Sequence, residues 1–237
     1  MLPLRDANPT RITPYVTIAV IAANLLVFFV LQFPGSEFDQ TAFVYERAAI
    51  ACEVTTGDPL DVAEIVTGEC GATGDGQVFP GKNVYLALVV SMFLHGGVGH
   101  VLFNMWFLWI FGNNVEEAYG HVWYAVLYLF GGLAATASFL VPNADTTVPL
   151  VGASGAIAAI MGAYLVLFPR HRVTSLLAWI ILPLPAAIFL VVWLASQLVF
   201  FTAETGVAWE AHVGGFVFGV AVTLLFRDRL LRRVAAA

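Results

Sequence analysis

The feature that most constrains this chain is a succession of long apolar runs with almost no charge inside them. A bilayer-crossing helix needs about 20 mostly apolar residues. The first such run covers roughly Pro14 to Phe33. The next stretches from about Val84 to Val115, too long for one simple span, and is interrupted by His95-Gly96-Gly97-Val98-Gly99-His100. We read Val84–Leu94 as a short segment in or near the outer interface, and Val98–Val115 as the second span. The third is about Val122–Val141, stopped by Pro142-Asn143, and the fourth is Leu150–Phe168, stopped by Pro169. The fifth is about Pro185–Phe201 and the sixth about Trp209–Phe226. The runs predict an all-α polytopic membrane protein with six spans. Composition agrees, with 60% hydrophobic and 11% charged residues, where soluble domains average roughly 45–50% and 25%. Such a chain is not intrinsically disordered, since disorder needs low hydrophobicity and high charge. A net charge of −6 and a single lysine, Lys82, exclude a basic nucleic-acid binder.

Orientation follows from the basic residues. With both termini cytoplasmic, the inside segments hold Arg5, Arg11, Arg170, Arg172, Arg227, Arg229, Arg232 and Arg233, and the outside segments only Arg47 and Lys82. Arg5 and Arg11 precede the first span as in a signal peptide, but its exit, Leu31-Gln32-Phe33-Pro34-Gly35, has no small-x-small cleavage site, so the span is retained. The segment from about 34 to 83 is then an outer loop. It carries Glu37, Asp39, Glu46, Glu53, Asp58, Asp61, Glu64, Glu69 and Asp75, and reads as a solvated acidic surface without metal-ligand spacing. Both cysteines, Cys52 and Cys70, lie in it. In an extracytoplasmic loop they form either a disulfide or two free thiols.

Polar groups inside a membrane are costly and usually have a partner or a task. Here they are His100 and Asn104 on the second span, Ser154 on the fourth and His212 on the sixth. All three spans run from outside to inside, and each polar group lies near the outer end of its span. Ser154, four residues into its run, is expected roughly 6 Å below the outer end at 1.5 Å per residue. Four polar groups thus share one depth. Small residues surround two of them. Ser154 lies in Gly152-Ala153-Ser154-Gly155, and His212 precedes Gly214, Gly215 and Gly219. Such stripes let helix backbones touch. Ser154, Ala158 and Gly162 share one helix face, and His212, Gly215 and Gly219 share another. If those faces pack, serine and histidine meet.

That meeting allows nucleophilic chemistry. A serine hydroxyl is weak alone and needs an adjacent base. His212 can take the Ser154 proton and return it to a leaving amine. His100, Asn104 and backbone N–H groups at Ser154 can stabilise an oxyanion. No carboxylate is placed as a third member: Glu210 points to a different face, and Asp145 and Glu204 fall in short outer loops. The arrangement is therefore a dyad. The glycine-rich break at 96–99 offers water a non-helical path at the same level. Each residue also has a plainer reading, as packing for Ser154, a satisfied structural group for His212, and interhelical glue for His100 with Asn104. His95 and His171 read as interfacial or loop residues, and His121 has no role. Glu116 and Glu117 read as solvated helix-end charges, and the tryptophans as interface belt or core.

The segments His95-Gly96-Gly97-Val98-Gly99-His100-Val101-Leu102-Phe103-Asn104, Gly152-Ala153-Ser154-Gly155 and Ala211-His212-Val213-Gly214-Gly215 resemble those of the rhomboid intramembrane serine proteases. Their order, spacing and host spans agree over about Pro14 to Phe226. The resemblance implies a six-transmembrane-helix rhomboid-like bundle forming a single membrane domain over 1–237. It implies an active site toward the outer face and substrates that are transmembrane segments of other membrane proteins. It implies Ser154 as nucleophile, His212 as general base, and His100 and Asn104 as oxyanion residues. Glu116 matches a structural glutamate of the family, Gly152, Gly155, Gly215 and Gly219 are structural, and no cofactor or metal is implied. Two departures stand out. The aromatic residue that family members often carry one turn after the serine, beneath the histidine, is Ala158 here. The first outer loop lacks the family's Trp-Arg pair. Two other functions compete: a catalytically inactive rhomboid-like protein that binds membrane clients, and a small-solute transporter, which would favour a midplane site and internal repeats. The lack of a leader resembling a transit peptide points to a prokaryotic plasma membrane.

Overall fold

The structure is a computed structural model that describes residues 1–74, 76–200 and 207–236. Asp75, Glu204 and the expected end of the fifth span at Phe201 lie outside the described residues. The chain opens with strand β1 (Leu2–Asp6). Helix α1 (Tyr15–Leu26) continues into a π-helical stretch, Val27–Gln32, so one apolar helix covers the first run. The outer loop folds into three short helices, α2 (Glu37–Arg47), α3 (Ala51–Thr56) and α4 (Val62–Thr67). Two of them begin with reciprocal capping boxes, Ser36 with Asp39 and Asp61 with Glu64, which satisfy orphan N–H groups of the first turn.

A short helix α5 (Ala87–Val90) and the 3-10 turn Ser91–Phe93 precede α6 (Val98–Tyr119), with an 89° bend at the break. Then follow α7 (His121–Leu140), α8 (Ser154–Leu167), strands β2 (Arg172–Leu177) and β3 (Ile180–Pro185), α9 (Ala186–Phe200) and α10 (Trp209–Ala236). Among the described residues, three helices are long and apolar enough to cross a membrane: Tyr15–Gln32, His121–Leu140 and Trp209–Ala235. The bent pair Ala87–Phe93 and Val98–Tyr119 has the length and apolarity of a fourth span only when its two helices are taken together, while Ser154–Leu167 and Ala186–Leu198 are apolar but shorter. The chain is a mostly helical membrane protein.

Four sequence expectations are corrected here. The protein is not all-α: β1, β2 and β3 form an antiparallel sheet in that order, with Leu2 opposite Leu176 and Val173 opposite Leu184. Pro183 and Pro185 belong to its edge strand, where a missing N–H is tolerated. The fourth apolar run is helical only from Ser154, so Ser154 begins the helix rather than lying four residues inside it. Helix α10 continues ten residues beyond Phe226. The outer acidic loop is not wholly solvated. Glu53 is buried in an ion pair with Lys82, whose Nζ lies 2.5 Å from Oε2, and Glu64 is buried too. Burial pushes the Glu53 carboxyl up and the Lys82 ammonium down, each opposed by the other's charge.

Cys52 and Cys70 form a disulfide with Cα atoms 5.7 Å apart. Glu64 Oε1 lies 3.3 Å from Cys52 Sγ. With both sulfurs bonded to each other, this cluster offers no thiolate to a metal. The disulfide-bonded loop docks on the segment leading to α8. Leu150 N–H donates to Ala49 O (2.8 Å) and Cys52 N–H to Thr146 O (3.1 Å), while Gly152 N–H donates to Ser91 O of the 3-10 turn (3.0 Å).

The helices α8 and α10 pack backbone to backbone. A Cβ on Gly215 would collide with the Gly155 carbonyl, one on Gly219 with the Ala159 carbonyl, and one on Gly162 with the Phe216 carbonyl. The α8 face is thus Gly155, Ala159 and Gly162, shifted by one position from the expected Ser154, Ala158 and Gly162. On the opposite side of α8, Phe111, Tyr164 and Phe189 join α6, α8 and α9, with ring centroids 5.2 and 5.8 Å apart.

Near the C-terminal end of α6, Glu116 is fully buried. Its carboxylate accepts from Val16 N (2.9 Å), Thr17 N (2.8 Å) and Thr17 Oγ1 (2.7 Å), and lies 2.6 Å from His121 Nδ1. It caps the first turn of α1, whose N–H groups have no intrahelical partner. Glu117 is also buried and accepts from Arg11 N (3.1 Å). The solvated reading of both glutamates is corrected, and His121 gains a partner.

Candidate active site

Ser154 is the first residue of α8, and the residues before it set its direction. Gly152 has φ +128°, a conformation that favours glycine, and a Cβ there would stand 2.9 Å from His100 Nε2. The chain can therefore turn tightly beneath the His100 ring. Gly155, the next residue, leaves room for the Ala135 methyl of α7, and Gly215 of α10, lacking a Cβ, rests its backbone on the Gly155 carbonyl. That approach brings His212, one turn earlier on α10, against the serine. Ser154 Oγ lies 2.8 Å from His212 Nε2.

The other face of the His212 ring is also engaged. Nδ1 lies 2.7 Å from Gln197 Oε1 on α9. The Trp193 ring, one turn earlier on α9, sits 6.0 Å from the imidazole centroid at a tilt of 40°. Neither contact was expected from sequence. The family's usual aromatic position is Ala158, which is fully buried, and Trp193 supplies an aromatic neighbour from a different helix. The signal that could have found Gln197 was its being the one amide in the apolar run Ala186–Leu198.

His100 is placed to donate. Its Nδ1 accepts from Gly96 N–H at 3.2 Å. A neutral imidazole has one donor and one acceptor nitrogen, so Nε2 carries the proton, and Nε2 is the atom nearest Gly152. His95 is not interfacial. It is fully buried, its backbone pairs with the Gln32 side chain, and its ring lies edge-on to His100 with centroids 5.1 Å apart. Asn104 is buried one turn further along α6, and its Nδ2 has no partner among the described residues.

A cavity of about 430 Å³ opens beside the pair. Its lining includes His100, Gly152, Ser154 and His212, and it reaches the outer connections through Asn143 and Trp209. Asn104 is not among the lining residues. The structure thus gathers Ser154, His212 and His100 at one cavity, with Asn104 behind them. Glu210 faces Asn143 Nδ2 at 3.5 Å rather than the imidazole.

Architecture and geometry together describe a helical membrane protein with a serine and a histidine in hydrogen-bond contact near one end of its bundle. The comparisons name the family: residues 82–229 match the Rhomboid domain, and the chain belongs to the rhomboid family. It is 26% identical over 233 residues to RHOMBOID-like protein 6, mitochondrial, of Arabidopsis thaliana, covering 91% of this chain and 69% of that protein. It is 31% identical over 146 residues to presenilin-associated rhomboid-like protein A, mitochondrial, of Danio rerio, covering 59% and 37%. It is 26% identical over 207 residues to rhomboid protease GluP of Bacillus subtilis, covering 87% and 34%. The chain spans less than half the length of the last two. Names that point to mitochondria and chloroplasts give the expected prokaryotic plasma membrane no support.

Proposed function

We propose that this chain is an intramembrane serine endopeptidase that hydrolyses peptide bonds in or near transmembrane segments of other membrane proteins. The observation that carries this reading is the 2.8 Å contact between Ser154 Oγ and His212 Nε2 at a cavity inside an apolar bundle. The bundle is read as a single membrane domain of six spans over 1–237, with both termini cytoplasmic and the cavity toward the outer face. The eight-to-two distribution of arginine and lysine supports that orientation.

In this reading Ser154 Oγ attacks the scissile carbonyl carbon while His212 Nε2 takes the hydroxyl proton. His100 Nε2–H, the Ser154 backbone N–H at the start of α8, and the unspent Asn104 amide supply donors for the oxyanion. The protonated His212 then passes its proton to the leaving amine, which departs and leaves an acyl-Ser154 ester. A water molecule, deprotonated by His212, attacks the ester and releases the acid. Gly152 and Gly155 hold the nucleophile's turn, Gly215 and Gly219 set the helix contact, and Glu116 ties α1 to the end of α6.

The test is cleavage of a transmembrane model substrate in liposomes, with fluorophosphonate labelling of the same preparation. Ser154→Ala is expected to lower cleavage by at least about 10³-fold and abolish labelling, leaving the catalysis that oxyanion donors and binding give alone. Cleavage that survives in Ser154→Ala would overturn the mechanism. A folded parent that neither cleaves nor labels would mark an inactive client-binding protein instead.

A further inference from the structure

We propose that Gln197 is a positioning residue that selects the tautomer of His212, an inference that rests on the serine-protease reading of the same site. Gln197 lies on α9 with 3% of its surface exposed. A buried amide in an apolar span is costly unless its groups are matched. Here both ends are matched. The amide Nε2 lies 3.2 Å from the Trp193 carbonyl oxygen and 3.3 Å from Ser196 Oγ. A carbonyl oxygen can only accept, so the NH2 end faces it and the amide is oriented. Oε1 is left toward His212 Nδ1 at 2.7 Å.

An amide oxygen can only accept as well. The His212 ring must therefore carry its proton on Nδ1. A neutral imidazole has one N–H, and the bond made by one nitrogen decides the state of the other. Nε2 is then a bare lone pair aimed at Ser154 Oγ, the form a general base requires. Without the Gln197 oxygen, the ring is free to carry its proton on Nε2, where it donates to the serine and cannot take a proton from it. The same oxygen offsets positive charge once His212 is protonated. Trp193 holds the ring from the side, so one helix fixes its rotation and its proton. Among the described residues, the groups turned to the imidazole are Ser154 from α8, with Gln197 and Trp193 from α9. A neutral amide thus stands where a carboxylate would complete a triad.

The test uses the full chain in detergent with nitrogen-15-labelled histidine, reading the His212 tautomer beside turnover of a transmembrane substrate. Loss of a signal in His212→Ala assigns the resonance. The parent is expected to show the Nδ1–H form. Gln197→Leu should mix the two tautomers and lower kcat about tenfold or more, a part of the 10²–10⁴ that base catalysis contributes, with KM within about twofold. Gln197→Glu, which restores an acceptor oxygen at the same reach, should return kcat to within about threefold of the parent. A Gln197→Leu protein with parental kcat and tautomer overturns the assignment. So does a parent dominated by the Nε2–H form, a result that needs no variant to fold. A parent that never cleaves or labels removes the protease reading, while the nitrogen spectrum still reports on the Gln197–His212 bond.

Discussion

Two buried polar clusters sit at opposite ends of α6, and they are built on opposite rules. The inner one, around Glu116, is saturated: the fully buried carboxylate meets two backbone N–H groups, a hydroxyl and the imidazole of His121, whose ring reaches the surface. The outer one, around Ser154 and His212, borders a cavity of about 430 Å³. Asn104 Nδ2 and both ring nitrogens of His95 are buried nearby without partners among the described residues. Leaving a buried donor unmet costs about 1–3 kcal/mol. A cluster kept for stability spends every donor, whereas one kept for a transient charge holds some in reserve. The inner cluster should therefore govern melting and the outer one turnover.

The largest effect that would break this division is expected at His100. His100→Ala should lower kcat about 10²- to 10³-fold by removing an oxyanion donor, with little change in melting temperature. A large fall in stability instead would make His100 a packing residue. Next comes Glu116→Ala, which strands the Val16 and Thr17 N–H groups. About 3 kcal/mol of stability should be lost, seen as an earlier thermal transition in detergent, while the folded fraction keeps the parent's kcat. Gly219→Val tests the link between the clusters. Forcing α10 away from the Ala159 carbonyl should cost about 1–3 kcal/mol by overpacking and lower kcat as well, because the same contact positions His212. Unchanged turnover would show that the pair does not depend on that interface.

The smallest effect concerns pH. Asp6 joins β1 to the helices, with its carboxylate 2.6 Å from Asn114 Nδ2 and 2.9 Å from Tyr164 OH. Burial raises it from its ordinary 3.8 to about 6, against the lowering influence of Tyr164 and Asn114. Between those two values the folded chain keeps a proton that the unfolded chain has released, so stability falls as pH rises through the window. Protection of residues 2–6 from hydrogen exchange, corrected for intrinsic rates, should be greater at pH 5 than at pH 7.5. Asp6→Asn should remove the difference, and equal protection at both pH values in the parent would count against a buried Asp6.

Much of the outer cluster was legible because it is local in the sequence sense. Each polar residue stands out against an apolar helix, and its distance from the helix end can be counted. Depth needs no tertiary information. The inner cluster was misread because the partners of Glu116 lie about 100 residues away, at Val16 and Thr17. Nothing around Glu116 distinguishes a buried carboxylate from a solvated helix end. The sheet was missed for a related reason. Ile180–Leu184 is a short apolar stretch without the polar alternation of a strand, and β1 has no partner until the chain returns at Val173. Gln197 was passed over because an amide in an apolar run has no meaning until the ring it faces is known. The start of α8 was misplaced because hydropathy does not see φ, and Gly152 at +128° breaks the helix that the apolar pattern extends.

The contact between α8 and α10 works as a caliper. Carbonyl oxygens of one helix rest directly on glycines of the other at Gly155–Gly215 and Ala159–Gly219, with the small Ala135 methyl of α7 beside the first contact. A gap set by side chains can be widened or narrowed by changing a rotamer. A gap set by backbone atoms has only one setting. The 2.8 Å separation of Ser154 Oγ and His212 Nε2 is thereby insulated from substitutions elsewhere in the bundle. Substitutions along the other walls of the cavity can change its shape and leave that spacing as it is.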